Sequence, residues 1–279
     1  MSDSGPSVPV TVVEPARTNP LARLAELWRH HELVYFFVWR QVKVRYKQTL
    51  IGASWAVIQP VFTMAVFTLF FGRLARLPSD GLPYPVFFFG GLVPWGYFAN
   101  SVNSATSSLA DQGRLITRVY FPRLALPVAA VLSGLLDLLI ATSVLLAVAV
   151  AYGYPLTFRV LWLFPLAMLA ALAALGFGLW TSALNAIYRD VRLAVPLLVQ
   201  VWLFASPVAY ASSLVPPDWQ LLYHANPMVS VVEGFRWAAA DAPPPPWTGV
   251  GLGLAVTLAL VAGGAWYFAR SEPTIVDVV

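Results

Sequence analysis

Charged side chains divide this sequence into long apolar stretches. Residues 48–72, 81–110, 160–188, 193–217 and 247–269 carry no Asp, Glu, Lys or Arg, and 124–158 carries only Asp137. The shortest of the six is 23 residues, and a hydrocarbon core of roughly 30 Å is crossed by about 20 apolar residues in a helix. The pattern predicts an all-α integral membrane protein with six transmembrane helices. Upstream, 20–48 follows an amphipathic helical period. Leu21, Leu24, Leu27 and Trp28, then Val34, Tyr35, Val38 and Val42, recur at helical spacing, while Arg23, Glu26, Arg29 and Arg40 occupy other faces. A basic, aromatic helix of this kind is expected to lie in the membrane interface. Between the fifth and sixth stretches, 218–241 is too polar to span and too aromatic for a free loop, with Trp219, Tyr223, Phe235 and Trp237 among polar residues. A pair of short extracytoplasmic interfacial or re-entrant helices is expected there, because irregular backbone at membrane depth must be buried in protein or line water. The prolines from Pro243 to Pro246 predict a stiff spacer before the last helix.

Four segments follow from this reading. Residues 1–19, with Pro6, Pro9 and Pro15 among small residues, are expected to be a disordered cytoplasmic tail. Residues 20–48 form the interfacial helix, 49–270 the six-helix domain and 271–279 a cytoplasmic C-terminal tail. The first 20 residues lack an apolar run, so no cleavable signal peptide is expected.

Composition sharpens the assignment. The chain is 59% hydrophobic and 11% charged, against roughly 25% charged in an ordinary soluble domain. With both termini placed in the cytoplasm, thirteen of the seventeen basic residues fall on the inner side; Arg73, Arg76, Arg159 and Arg236 fall outside. The positive-inside rule therefore favours cytoplasmic termini, and the net charge of +4 needs no nucleic acid to explain it. The absence of cysteine excludes disulfides, thiolate metal sites and cysteine nucleophiles.

Hydrolytic chemistry finds little to work with. The three histidines, His30, His31 and His224, all lie outside the apolar stretches, so a buried serine near Gly52 to Trp55 would lack a base. No G-x-x-x-x-G-K-[ST] phosphate loop occurs. Asp137, set among leucines, is a candidate ion or proton relay; a hydrogen bond to a neighbouring helix, or a place near the interface, is the other reading. A relay needs further ionisable partners at that depth, and no other stretch supplies one. Uncharged polar groups are more plentiful. Asn100, Ser101, Asn103, Ser104, Thr106, Ser107 and Ser108 crowd the inner half of the second stretch. Trp55, Gln59 and Phe62 share a helical face, a mix of rings and amides that suits sugars and equally suits ordinary packing. The connections at 111–123 and 184–192 are short, charged and partly apolar, as docking elements for a cytoplasmic partner would be.

Taken in order, several blocks resemble the permease subunits of ABC-2-type exporters of lipid-linked polysaccharide, the group serving O-antigen, capsule-like and teichoic acid polymers. These are VWRQVKVRYKQ at 38–48, GASWAVIQP at 52–60, Pro83-Tyr84-Pro85 and GLVPWGYF at 91–98. Then come LITRVYFPRLALP at 115–127, LNAIYRDVR at 184–192, SPVAY at 206–210, Asn226-Pro227-Met228, EGFRW at 233–237 and the closing Asp277-Val278-Val279. Gln41 departs from the pattern, where an acidic residue is more usual. The resemblance implies a homodimer in the bacterial plasma (inner) membrane, bound to two copies of a separate cytoplasmic ATPase that carries ATP and Mg, with no cofactor in this chain and no catalytic role of its own. It assigns coupling to the ATPase to Arg114, Leu115, Arg118 and Tyr120, supported by Arg189, Asp190 and Arg192. It places a channel at the dimer interface, lined from the first and fifth helices; Trp55, Gln59, Phe62, Gln200 and Phe204 are the expected lining. The outer hairpin would gate that channel, and the N-terminal helix would frame a lateral opening for the lipid-linked end. An efflux permease for a small molecule or lipid is the alternative with the same topology.

Overall fold

The computed structural model describes residues 20–47, 55–113 and 121–278, and among them every regular element is a helix. The expected interfacial helix is present as two, α1 (Pro20–Arg29) and α2 (His31–Lys47). At the break, the Nδ1 atoms of His30 and His31 lie 2.9 and 3.1 Å from the carbonyls of Glu26 and Trp28, so the imidazoles cap the last turn of α1, where carbonyls lose their helical partners. α3 (Trp55–Phe67) continues into wider π-helical turns over Thr68–Leu74, with the Ala75 amide bonding to the Phe70 carbonyl at 2.8 Å. There follow α4 (Tyr84–Ser107), α5 (Ala125–Ser133), α6 (Leu135–Ala151) and α7 (Leu163–Ile187), the last preceded by a 3-10 turn over Phe158–Trp162. α8 (Val191–Phe204), α9 (Pro217–His224), α10 (Pro227–Ala240) and α11 (Trp247–Val278) complete the chain.

Among the described residues, four helical segments are long and apolar enough to cross a membrane: Val57–Leu74, Ala125–Ala151, Phe158–Ile187 and Trp247–Thr274. α4 has the length, 24 residues or roughly 36 Å, and its Asn and Ser residues lower its hydropathy. α8 differs from the expected span over 193–217. It has 14 residues, roughly 21 Å, and the chain leaves helical form at Ala205. The stretch 124–158 is also not one helix, because the Ser133-Gly134 pair breaks it between α5 and α6. A Cβ at Gly134 would lie 3.0 Å from Ser101 Oγ and 3.1 Å from the Tyr97 ring, so glycine there lets α4 come close. Residues 271–278, expected as a tail, are the last turns of α11.

α4 and α7 form the centre. Phe87, Phe88, Phe89 and Phe98 of α4 are fully buried with Phe235 and Met228 of α10. Phe98, Phe177 and Trp202 meet edge to face at centroid distances of 4.4 to 6.0 Å and tie α4, α7 and α8 together. α7 lies against α11 through small residues: a Cβ at Gly264 would stand 2.9 Å from the Gly176 carbonyl. Close backbone approach of this kind is how helices associate in lipid, where burying apolar surface gives no drive. α3 and α8 are peripheral, each with one face open on the single chain. The pair of short helices expected over 218–241 is present as α9 and α10, and α10 is almost wholly buried.

Candidate functional site

One end of the bundle collects the connections that the charge pattern assigns to the cytoplasm. Asp111, in the 3-10 turn Ala110–Gln112 after α4, pairs with Arg192 of α8 at 3.3 Å. Gln112 Oε1 accepts from Arg40 of α2 at 3.2 Å. Further along the same connection, Arg123 meets the Glu272 carboxylate of α11 at 3.5 Å and its carbonyl at 3.3 Å. Phe121 packs on Phe37 at 5.6 Å. Beneath them, Asn185 Nδ2 donates to the Thr106 carbonyl at 2.9 Å, and the Thr106 and Thr181 hydroxyls meet at 2.7 Å. The connection between α4 and α5 is thus pinned at both ends, and its first end is joined to the first turn of α8. Arg189 and Asp190 are exposed beside it. Arg114, Leu115, Arg118 and Tyr120 lie outside the described residues. Exposed ion pairs contribute only about 0–1 kcal/mol, so Asp111–Arg192 sets register more than stability.

At the opposite end, the irregular backbone after α8 is held by side chains from elsewhere. Tyr210 Oη donates to the Phe204 carbonyl at 3.0 Å, Asn226 Nδ2 to Ala205 at 3.2 Å, Arg236 Nη2 to Val208 at 2.9 Å and Tyr84 Oη to Ala209 at 2.9 Å. Carbonyls outside a helix at membrane depth cost several kcal/mol each when unpaired, and these four each have a donor. Asn226 serves twice over: its Nδ2 also reaches Ser206 Oγ at 2.9 Å, and its Oδ1 caps α10 by accepting from the Met228 amide at 3.1 Å. Arg236 is 4% exposed; its Nε donates to the Phe87 carbonyl at 2.9 Å and its guanidinium lies 3.5 Å from the Phe87 ring centroid. Gly91 makes the approach possible, since a Cβ there would fall 2.9 Å from Arg236 Nη2 and 3.1 Å from Val208 Cα. Beside this cluster lies a cavity of about 510 Å³ that includes Asp80, Tyr223, His224 and Glu233. Burial raises the Glu233 carboxyl above the usual carboxylate range, against the opposing pull of Ser212, His224 and Arg236.

A second cavity, of about 480 Å³, lies between α2, α3, α4 and α6. Arg45 and Tyr46 of α2 both donate to the Asp137 carboxylate of α6 there. Burial, and then the bond to Asp137, push the Tyr46 hydroxyl up to about 12, so it remains a donor. Gln59, Asn100 and Ser104 line the facing walls. On the same helix as Arg45, Gln41 Oε1 accepts from the Ser133 hydroxyl at 3.1 Å.

The expected channel residues do not converge within the single chain. Gln59 edges the cavity, whereas Phe62 is 69% and Phe204 67% exposed, and Gln200 lies on the open face of α8. The Trp55 side chain lies outside the described residues.

Comparison with known proteins decides the family. Residues 32–239 match the model of the ABC-2 type transporter. The chain is 32% identical over 215 residues to the O-antigen export system permease protein RfbA of Myxococcus xanthus, covering 76% of this chain and 81% of that one. It is 27% identical over 198 residues to the protein of the same name from Klebsiella pneumoniae, 71% and 76% of the two chains. With the polysialic acid transport protein KpsM of Escherichia coli it shares 24% over 200 residues, 71% and 78% of the two chains. The chain belongs to the ABC-2 type transporter family.

The blocks that carried the ABC-2 resemblance in sequence converge in space. Tyr84, Gly91, the 206–210 segment, Asn226 and Arg236 come from five separate blocks and meet in one cluster after α8. The role of Arg236 as a carbonyl donor was not foreseen, since counting it as an outside charge hides its burial. Asp137 is bonded to a neighbouring helix, one of the two readings given for it, but its donors Arg45 and Tyr46 were not named from the sequence. A lone acid in one apolar stretch, and a base at the mouth of another, was the signal available.

Proposed function

We propose that this chain is the transmembrane permease subunit of an ATP-driven exporter that moves lipid-linked polysaccharide out of the cytoplasm across the bacterial plasma membrane. The observation that carries this reading is the 32% identity extending over 81% of an O-antigen export permease. The chain acts as a homodimer with both termini inside, and two copies of a separate ATPase subunit supply ATP and Mg chemistry. The connection from Ala110 to Arg123 receives the ATPase motion. Its support is mechanical: a segment tied at its ends to α2, α8 and α11 passes displacement to three helices at once. The channel forms between two copies along α3 and α8, with Trp55, Gln59, Phe62, Gln200 and Phe204 toward it. Exposure of Phe62 and Phe204 on the single chain supports this placement. Rings and amides offer many weak contacts to passing sugars, and a conducting path requires binding weak enough to release.

Deletion and complementation test the function. Loss of the gene removes long-chain surface polysaccharide, the purified chain alone hydrolyses no ATP, and co-expression with its partner ATPase subunit yields a stable complex. Phe62→Ala with Phe204→Ala lowers surface polymer without loss of the complex. Surface polymer that persists after deletion refutes the exporter reading, whereas polymer export at the normal rate in the double variant refutes only the channel lining.

A further inference from the structure

We propose that His224 makes the α9–α10 hairpin a sensor of pH outside the cell: a proton on its imidazole turns the ring off α11 and bonds it to the Glu233 carboxyl, which docks α9 on α10. The proposal rests on the exporter reading only for the outward placement of the hairpin, and it concerns regulation, not substrate.

Two buried polar atoms at the cavity beside Arg236 have no partner among the described residues, His224 Nδ1 and Glu233 Oε2. Buried polar atoms are nearly always paired, so a base and an acid left over at one cavity need a physical reason. His224 Nδ1 lies against α11, where a Cβ at Gly249 would stand 2.7 Å away; glycine gives the ring its seat. A neutral imidazole carries N–H on one nitrogen, so Nδ1 can rest there as an acceptor. An imidazolium carries N–H on both, and the seat on Gly249 offers the second donor no acceptor. Charging the ring therefore favours a turn toward the cavity and Glu233 Oε2. A carboxyl oxygen accepts whether or not the group is ionised.

The surrounding charges act in the same direction. Asp80, Glu233 and Arg236 line the cavity with His224, so two carboxyl groups face one guanidinium, which is itself occupied by the Phe87 and Val208 carbonyls. The other groups do not change this balance. Tyr223 Oη donates to Tyr210 at 3.1 Å, Asp241 is paired with Arg159, and α11 has no ionisable side chain from Trp247 to Trp266. Histidine is the side chain that ordinarily changes charge between pH 5 and 8. The moving part is α9, which has no buried residue, while α10 is almost wholly buried. His224 ends α9, so a small rotation there is carried over its 8 residues, about 12 Å. The docked form holds the proton more tightly, so docking rises as pH falls and levels off once the ring is fully charged.

The test uses the permease–ATPase complex in nanodiscs with a nitroxide on Asp218→Cys, an exposed site on α9 in a chain without cysteine. The ratio of slow to fast spectral components is expected to rise roughly tenfold between pH 7.5 and 5.5, with a slope of at most about one proton per chain. His224→Gln and Glu233→Leu each hold the rise under about twofold, having lost the charge or the acceptor. Co-elution with the ATPase confirms that each variant is folded. A nitroxide on Ser143→Cys, on an exposed face of α6, shows no rise. Absence of the rise in the parent, its survival in folded His224→Gln, or an equal rise at position 143 overturns the proposal. Chromium oxalate, which does not cross membranes, should broaden the Asp218→Cys signal in spheroplasts, and an unbroadened signal overturns the sensing of external pH. Gene deletion tests export separately: surface polymer that persists refutes the exporter reading and leaves this transition in place.

Discussion

Replacing Arg236 with methionine keeps most of the side-chain volume and removes the fork that holds the irregular segment after α8. Two bonds from a charged donor disappear, each contributing about 1.5–3 kcal/mol, together with a desolvated cation over the Phe87 ring, worth about 2 kcal/mol. The loss is offset by relief from burying a guanidinium, several kcal/mol in effective terms. The Phe87 carbonyl keeps its place in the α4 ladder, but that of Val208 is left without its donor. The balance is a destabilisation of about 2–4 kcal/mol, concentrated locally. Hydrogen exchange in nanodiscs reads it directly, because amides over 205–211 should exchange roughly 30- to 1,000-fold faster at about 1.4 kcal/mol per decade. Arg236→Lys should recover less than half of the loss, since an ammonium cannot fork to both carbonyls. Unchanged exchange over 205–211 in Arg236→Met would show that the segment is held by something other than this donor.

Three further outcomes are expected. The chain has no cysteine, so single cysteines report topology cleanly: Asp80→Cys and Asp218→Cys should react with an impermeant maleimide on intact cells, and Gln112→Cys should not. External labelling of Gln112→Cys would reverse the assigned orientation. Asp111→Arg should weaken ATPase activation in the complex by no more than about fivefold, as suits an exposed pair, and adding Arg192→Asp should restore it; no restoration would separate the pair from coupling. Burial raises the Glu233 carboxyl above the usual carboxylate range. A raised value in the folded chain means that folding takes up a proton, so stability should rise as pH falls through that value and level off below the unfolded one, about 4.3. Thermal unfolding across pH should show this slope in the parent and a flatter one in Glu233→Gln, and equal slopes would exclude Glu233 as its source.

Spacing between charges was enough to show an all-helical membrane chain, because lipid leaves the backbone few alternatives to a helix. The hairpin at α9 and α10 was legible for the same reason, its polarity being wrong for a span and its aromatics wrong for solvent. Hydropathy could not show where α8 ends. Phe204 through Ala209 reads as apolar whether or not it is helical, and what permits the exit is a set of donors at Tyr84, Tyr210, Asn226 and Arg236. The Arg45–Asp137 pair joins residues 92 positions apart, beyond any local pattern. The break at Gly134 was hidden because glycine is common within membrane helices and marks close packing as often as a bend.

The donor set around Val208 also imposes an order on biogenesis. Residues 204–209 leave the ribosome well before Asn226 and Arg236, which supply two of the four carbonyl donors described there. At roughly 5–20 residues per second, the 28 residues from Val208 to Arg236 take about 1–6 s to synthesise. During that interval Ala205 and Val208 lack the side chains that hold them in the finished chain. The fifth apolar stretch therefore enters the membrane incomplete and is locked only when α10 arrives, which makes this junction the step at which an insertion factor would shelter the nascent permease.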